Sequence, residues 1–214
     1  MEVSMEEVDM LAFEREYAAQ NYKRIAGIDE VGRGCMFGDV VAAAVILPEG
    51  LEIEGINDSK KLTEKKRNAL YDVIIEQAVA YAIVRIDAET VDRINIKQAA
   101  RLAMKQAVDQ LSVEPDFLLV DAEKVACNLP QLALVKGDAR SQSIAAASIL
   151  AKVTRDRLCV EEWDAMYPEY GIAIHKGYGT KLHREKIATL GPTPMHRKSF
   201  IRNIIAELEQ PVLF

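Results

Sequence analysis

The run Ile25-Ala26-Gly27-Ile28-Asp29-Glu30-Val31-Gly32-Arg33-Gly34 constrains this chain more than any other. An apolar strand runs straight into two acids and then into a glycine-rich break. A buried strand does not end in charge without compensation, because taking a carboxylate out of water is costly unless it is paired or metal-bound. Neighbouring strand residues face opposite sides, so Asp29 and Glu30 share one site only where the strand ends or kinks. Gly32 and Gly34 permit that break and let a ligand approach the backbone closely. Taken alone, the stretch also fits a strand ending in two solvated acids.

Two further segments repeat the theme. Phe117-Leu118-Leu119-Val120 leads into Asp121, and an apolar helical run through Ser148-Ile149-Leu150-Ala151 is followed by Asp156. Four acids on rigid, mostly buried elements repel one another, and a proton or a cation must offset them. Hard oxygen ligands without cysteine or clustered histidine favour Mg2+ or Mn2+. Two such ions roughly 3.5–4 Å apart suit in-line phosphodiester chemistry. A glycosidase pair would need an aromatic cleft to stack sugars, and this chain is 6% aromatic with one tryptophan.

The 214 residues, half of them hydrophobic, suffice for one large domain with a sizeable core. A net charge of −6 excludes a histone-like protein that binds nucleic acid by bulk charge. Charge is nevertheless uneven: residues 175–203 carry a net +6, residues 57–67 a net +3, and the first twenty a net −5. Two basic segments in an acidic chain suggest a polyanion groove, although solvated helix faces give the same pattern. The longest apolar run, 40–47, is too short to span a bilayer, which takes roughly 20 residues. The acidic N-terminus does not resemble a secretory signal. Cys35, Cys127 and Cys159 form no CxxC pair, so neither a disulfide framework nor a zinc site is expected, and a cytoplasmic location fits.

Hydrophobic periodicity divides the chain as follows. An acidic helix is expected over residues 1–20, strands over 24–31 and 38–47, a helix over 63–78, and a strand over 80–86. A helix over 95–111 precedes strands at 117–121 and 132–135. A long helix over 141–163 has a nearly apolar first half that must be buried on most sides. Helices at 180–190 and 198–208 follow. This order predicts an α/β fold, a mixed sheet flanked by helices: a catalytic domain over 21–164, a helical C-terminal extension over 165–209 and an apolar tail at 210–214.

Several polar residues are placed to hold a substrate. Ser59 and Lys60 lie in a polar loop and can face phosphate, though such tetrads are commonly plain turns. Lys176 and Tyr178 flank Gly177, so the ring can stack on a sugar or base with the ammonium near a phosphate. Ser143 follows Ser141 at a helix start whose N-terminus can face phosphate. His175, His183 and His196 form no HxxxH pair and read as surface or groove residues. Cys35, Cys127 and Trp163 read as packing residues.

The segments GIDEVGRG, NDSKKL, LLVDA, AAASILAKVTRD and HKGYGT occur in the order seen in ribonuclease HII, and the resemblance covers residues 25–196. It implies a ribonuclease H-like fold with a mixed five-stranded sheet. It implies endonucleolytic hydrolysis of RNA in RNA–DNA hybrids and cleavage 5′ of ribonucleotides embedded in duplex DNA, leaving 5′-phosphate and 3′-hydroxyl ends. By motif, Asp29, Glu30, Asp121 and Asp156 would bind two Mg2+ or Mn2+ ions. The Gly32-Arg33-Gly34 backbone and Tyr178 would read the ribose 2′-hydroxyl and the adjoining deoxyribose, and Ser59 and Lys60 would hold phosphate. The related ribonuclease HIII type carries an added N-terminal substrate-binding domain, and about twenty residues before the first strand disfavour that branch.

Two rival classes are a non-catalytic hybrid-binding module, which would not need four buried acids, and a DNA nuclease on the same fold, which would need no 2′-hydroxyl reader. The end Gln210-Pro211-Val212-Leu213-Phe214 is similar to short peptides that bind the bacterial sliding clamp: Leu213 and Phe214 would anchor in a pocket and Gln210 would bond at its rim. An ordinary apolar tail has the same composition. Nothing demands more than a monomer.

Overall fold

The computed structural model describes residues 8–209. Strands β1 (Ile25–Val31), β2 (Val40–Ile46), β3 (Ala80–Ile86), β4 (Phe117–Asp121) and β5 (Gln131–Leu134) form one mixed sheet in the order β3-β2-β1-β4-β5. The first three strands pair antiparallel, and β4 and β5 run parallel to β1. The helices are α1 (Ala12–Ala19), α2 (Glu64–Gln77), α3 (Ala88–Ile94), α4 (Ile96–Asp109), α5 (Gln142–Arg157), α6 (Asp164–Met166), α7 (Ile172–His175), α8 (Lys181–Leu190) and α9 (Lys198–Glu209).

Both faces of the sheet are covered, which is why every residue of β2 is buried and why that strand shows no alternation of polarity. Ala26, Ile28, Ala42 and Ala44 pack against Ala99, Ala100, Ala103 and Met104 of α4. The alternate residues Val41, Ala43 and Val45 pack against α5 and against Leu70 and Ile74 of α2. Small side chains bring helix and sheet close. At Gly27 an added Cβ would lie 2.0 Å from the carbonyl carbon of Ser143 in α5.

The long helix expected over 141–163 is α5 followed by a π-helical stretch, Leu158–Trp163. The wider turn delivers Trp163 into a cluster with Phe37, Cys159, Tyr170 and Ile172, so the tryptophan packs as expected. Helix α3, capped by Asp87, was not anticipated; the Asp87 carboxylate accepts from the Thr90 amide at 2.7 Å. At the N-terminus the helix is confined to Ala12–Ala19 among the described residues. The tail with Gln210, Leu213 and Phe214 lies outside them. No helix among the described residues is long and apolar enough to cross a membrane.

The C-terminal segment returns to the sheet end that carries the acids, through bridges pairing Cys35 with Tyr178 and Phe37 with His196. Here the histidine reading is corrected: His175, His183 and His196 are all buried, and the rings of His175 and His183 stack at 4.0 Å. Their partners define one set of neutral tautomers. The His183 Nδ1–H donates to the Tyr178 carbonyl, the Thr193 amide donates to His196 Nδ1, and His196 Nε2–H donates to His183 Nε2 at 3.1 Å. Burial pushes His183 down to about 4 and His196 down to about 3.

Candidate active site

Parallel pairing of β1 with β4 aligns Ile28 with Val120, so the next residues, Asp29 and Asp121, stand level on adjacent strands and on the same face. That face is covered by α5, which sets Ser148 beside Asp29. Asp29 is 5% exposed, and its carboxylate also accepts from the Glu30 amide at 2.7 Å. Burial, then the charges of Glu30 and Asp121, raise its pKa well above the usual range. Burial likewise pushes Glu30 up to about 7, against the opposing pull of Arg33, whose guanidinium lies 3.2 Å from Glu30 Oε1. The other oxygen, Glu30 Oε2, is buried with no hydrogen-bond partner among the described residues. Asp121 Oδ1 accepts from the Gly137 amide at 2.7 Å.

The same turn brings in an acid that the sequence reading missed. Asp138 follows Gly137, is 5% exposed, and is raised by burial and by Asp58 and Asp121. Lys60 Nζ stands 3.7 Å from Asp138 Oδ2, and it also feels Asp29, Asp58 and Asp121. Asp156 is the corresponding correction. Its carboxylate pairs with Lys152 of its own helix at 2.6 Å, it lines a surface hollow with Glu64, Arg67 and Asn68 of α2, and it is not among the main charges felt at Asp29, Glu30, Lys60 or Asp138. The helical phase of α5 turns it aside. Asp138 was missed because the polar Lys136-Gly137 turn separates it from the apolar strand β5, so it does not stand at the strand end as Asp29 and Asp121 do. The visible signal was a glycine beside an acid just before a buried helix.

The substrate-facing residues divide. Gly34 is exposed, Arg33 is partly so, and Tyr178, 41% exposed, pairs with Cys35 immediately after them. The Lys60 side chain is 77% exposed. Ser59 is turned inward: it is 2% exposed and its hydroxyl shares a 2.9 Å hydrogen bond with that of Ser148, bracing the residue beside Asp29. The Lys176 ammonium is taken by the Ala173 carbonyl at the end of α7. Ser143 is 2% exposed and lies beside Gly27, toward the start of β1 and away from the acids. The helix N-terminus there is closed by Glu14 of α1, which accepts from the Ser143 amide at 2.9 Å and the Ser141 hydroxyl at 2.7 Å. It offers phosphate no free end.

Among the described residues, no three acids, histidines or cysteines stand close enough to ligate one ion as the side chains are placed, with Glu30 drawn to Arg33. The donor set still fits a divalent cation. It is all carboxylate oxygen, it is buried and crowded enough to raise the pKa values of Asp29, Glu30 and Asp138, and it includes the unpartnered Glu30 Oε2.

Known proteins are similar to this chain in sequence and fold. A family model described as Ribonuclease HII matches residues 26–203. The ribonuclease HII of Alkaliphilus metalliredigens (strain QYMF) is 55% identical over 204 residues, 92% of this chain and 100% of that protein. The crystal structure of ribonuclease H2 from Pyrococcus horikoshii OT3 matches with a TM-score of 0.73 at 25% identity, covering 88% of this chain and 100% of that one. The RNase HII of Archaeoglobus fulgidus, solved in complex with PCNA, matches with a TM-score of 0.69 at 26% identity, over 88% of this chain and 98% of that one. The chain belongs to the ribonuclease HII family and is a nuclease, a phosphodiester hydrolase.

Proposed function

We propose that this nuclease hydrolyses the RNA strand of RNA–DNA hybrids and cuts 5′ of single ribonucleotides in duplex DNA, with Mg2+ or Mn2+ held by Asp29, Glu30, Asp121 and Asp138. One observation carries the reading: the level placement of Asp29 and Asp121 beside Glu30 and Asp138, next to a glycine loop that pairs with Tyr178. When bound, such ions ease deprotonation of the attacking water and offset charge on the leaving oxygen.

The protein groups do the rest. The raised pKa values of Asp29 and Glu30 mark a site short of positive charge, so the acids favour cation binding over standing ionised alone. The exposed Lys60 ammonium meets a non-bridging phosphate oxygen. The backbone amides of Arg33 and Gly34 point a donor pair at the ribose, whose 2′-hydroxyl is what separates RNA from DNA. The Tyr178 ring packs on the neighbouring deoxyribose. Cleavage then leaves a 5′-phosphate and a 3′-hydroxyl.

The test is a duplex carrying one ribonucleotide, incubated with either metal and with chelator. A cut 5′ of the ribonucleotide, lost with chelator and absent on all-DNA duplex, is the expected result. Cleavage of all-DNA duplex would overturn the 2′-hydroxyl reading. For the tail, Gln210, Leu213 and Phe214 serve as a sliding-clamp anchor, a reading supported by the PCNA-bound relative from Archaeoglobus fulgidus. Deleting residues 210–214 and titrating with clamp tests it, and unchanged affinity would discard it.

A further inference from the structure

Two buried arginines have no role in the reading above. Arg155 and Arg197 are 1% and 0% exposed, and among the described residues neither forms an ion pair within 4.0 Å. Burying an unpaired guanidinium is costly unless hydrogen bonds replace its water. Here those bonds go to the loop between β1 and β2 and to Lys176, with Arg197 Nη2 left without a partner among the described residues. Arg197, just before α9, donates from Nε to the Gly38 carbonyl at 2.9 Å and from Nη1 to the carbonyls of Gly32 at 2.7 Å and Cys35 at 2.8 Å. Its own amide donates to the Met36 carbonyl at 2.8 Å. Arg155, on α5, donates from Nε to Asp39 O at 3.0 Å, from Nη2 to Phe37 O at 2.9 Å, and from Nη1 to Lys176 O at 2.8 Å.

The loop between β1 and β2 is therefore held with its carbonyls inward. The carbonyls of residues 32, 35, 36, 37, 38 and 39 all accept from these two residues. The amides of Met36 and Gly38 are used as well, on the Gly177 and Met195 carbonyls. Among the described residues, the amides of Arg33 and Gly34 have no acceptor. The glycines of both reading motifs are shaped to the same guanidinium. A Cβ on Gly32 would lie 2.4 Å from Arg155 Nε, and one on Gly177 would lie 3.3 Å from Arg155 Nη2 and 2.9 Å from the Phe37 carbonyl.

We propose that Arg197 and Arg155 are positioning residues for substrate selection: by gathering the carbonyls of the β1–β2 loop they leave the Arg33 and Gly34 amides facing the ribose, and Arg155 ties that loop to the Tyr178 segment through Lys176. Only a guanidinium does this. Its five donors lie in one plane and fan out to carbonyls in different directions, whereas an ammonium is a compact point donor on a flexible stem. Arg197 stays charged at neutral pH even though burial, then Arg155, pushes it down to about 10. The inference rests on the ribonucleotide-cleaving reading, so its test has an arm that does not use cleavage.

The first arm compares wild type with Arg197→Lys on a duplex holding one ribonucleotide, at a temperature where both are folded. A misplacement near 1 Å at the reading loop lowers kcat by about 100-fold, with affinity for an all-DNA competitor duplex unchanged. A Met104→Ala variant, which opens a void under the opposite face of the sheet, controls for destabilisation and keeps its kcat. Full kcat in folded Arg197→Lys would overturn the proposal. Should that variant not fold, Arg155→Lys takes its place with the same expected outcome. The second arm is amide hydrogen exchange on the wild-type protein: Met36 and Gly38 exchange slowly while Arg33 and Gly34 exchange fast. Equal protection at all four positions would overturn the proposal whether or not the protein cleaves ribonucleotides, and absence of cleavage with the expected exchange pattern would count against the functional reading alone.

Discussion

Replacing Gly27 by alanine tests how tightly α5 is pressed on β1. The new Cβ would sit 2.0 Å from the Ser143 carbonyl carbon, 2.2 Å from its oxygen and 2.5 Å from the Ile144 nitrogen. Carbon atoms in contact prefer about 3.5–4.0 Å, so the helix must retreat by roughly 1.5 Å. The obstacle is backbone, and no rotamer change relieves it. Overpacking costs about 1–3 kcal/mol, and a backbone wall on a fully buried helix belongs at the top of that range. The narrower unfolded ensemble of alanine returns about 0.4–1 kcal/mol. The net loss of roughly 2–2.6 kcal/mol lowers Tm by about 4–10 °C for a chain of this length. Differential scanning calorimetry reads it directly. The same retreat draws Ser148 from Asp29 and Arg155 from the glycine loop, so kcat on a ribonucleotide duplex falls even well below Tm. A Tm within about 1 °C of wild type, with full activity, would refute this account of the close approach.

Asp138→Asn is expected to reduce cleavage by more than about two orders of magnitude with duplex binding retained, while Asp156→Asn, which loses only a pairing with Lys152, stays within a few-fold of wild type; steady-state kinetics on both variants decide, and the reverse ranking would restore Asp156 to the site. Glu14→Ala takes the acceptor from the Ser143 amide at the start of α5 while the Ser141 cap remains, and should cost about 1 kcal/mol in urea unfolding, with cleavage unaffected because that end of the helix lies away from the acids. His183 and His196 titrate below their unfolded value of 6.5, so from pH 7 to 5 the unfolded chain takes up protons that the folded chain refuses, and stability falls as pH falls, by about 2 kcal/mol per histidine. The raised carboxylates act in the opposite sense, since the folded state there takes up protons first, so the measurement is made in chelator on Asp29→Asn/Glu30→Gln; a pH-independent stability in that background would contradict the buried neutral histidines.

The sequence by itself determined the parts whose cause is local. An apolar run ending in Asp29-Glu30 or in Asp121 announces a charged strand end, because a buried strand cannot carry those charges inside it. The apolar first half of α5 announces a helix covered on nearly all sides. Tertiary structure alone decided which acids meet. Asp138 reaches the cluster because the turn after β5 folds the Gly137 amide onto Asp121, whereas Asp156, on a segment that looks alike in sequence, is rotated away by helical phase. Ser59 and Ser143 read as substrate-facing residues and the three histidines as surface or groove residues because polar side chains do not announce whether a distant partner will satisfy them. Ser148, Glu14 and the Tyr178 carbonyl do so only after the chain has closed on itself. Local composition limits what an element can tolerate, and long-range register and hydrogen bonding then choose its neighbours.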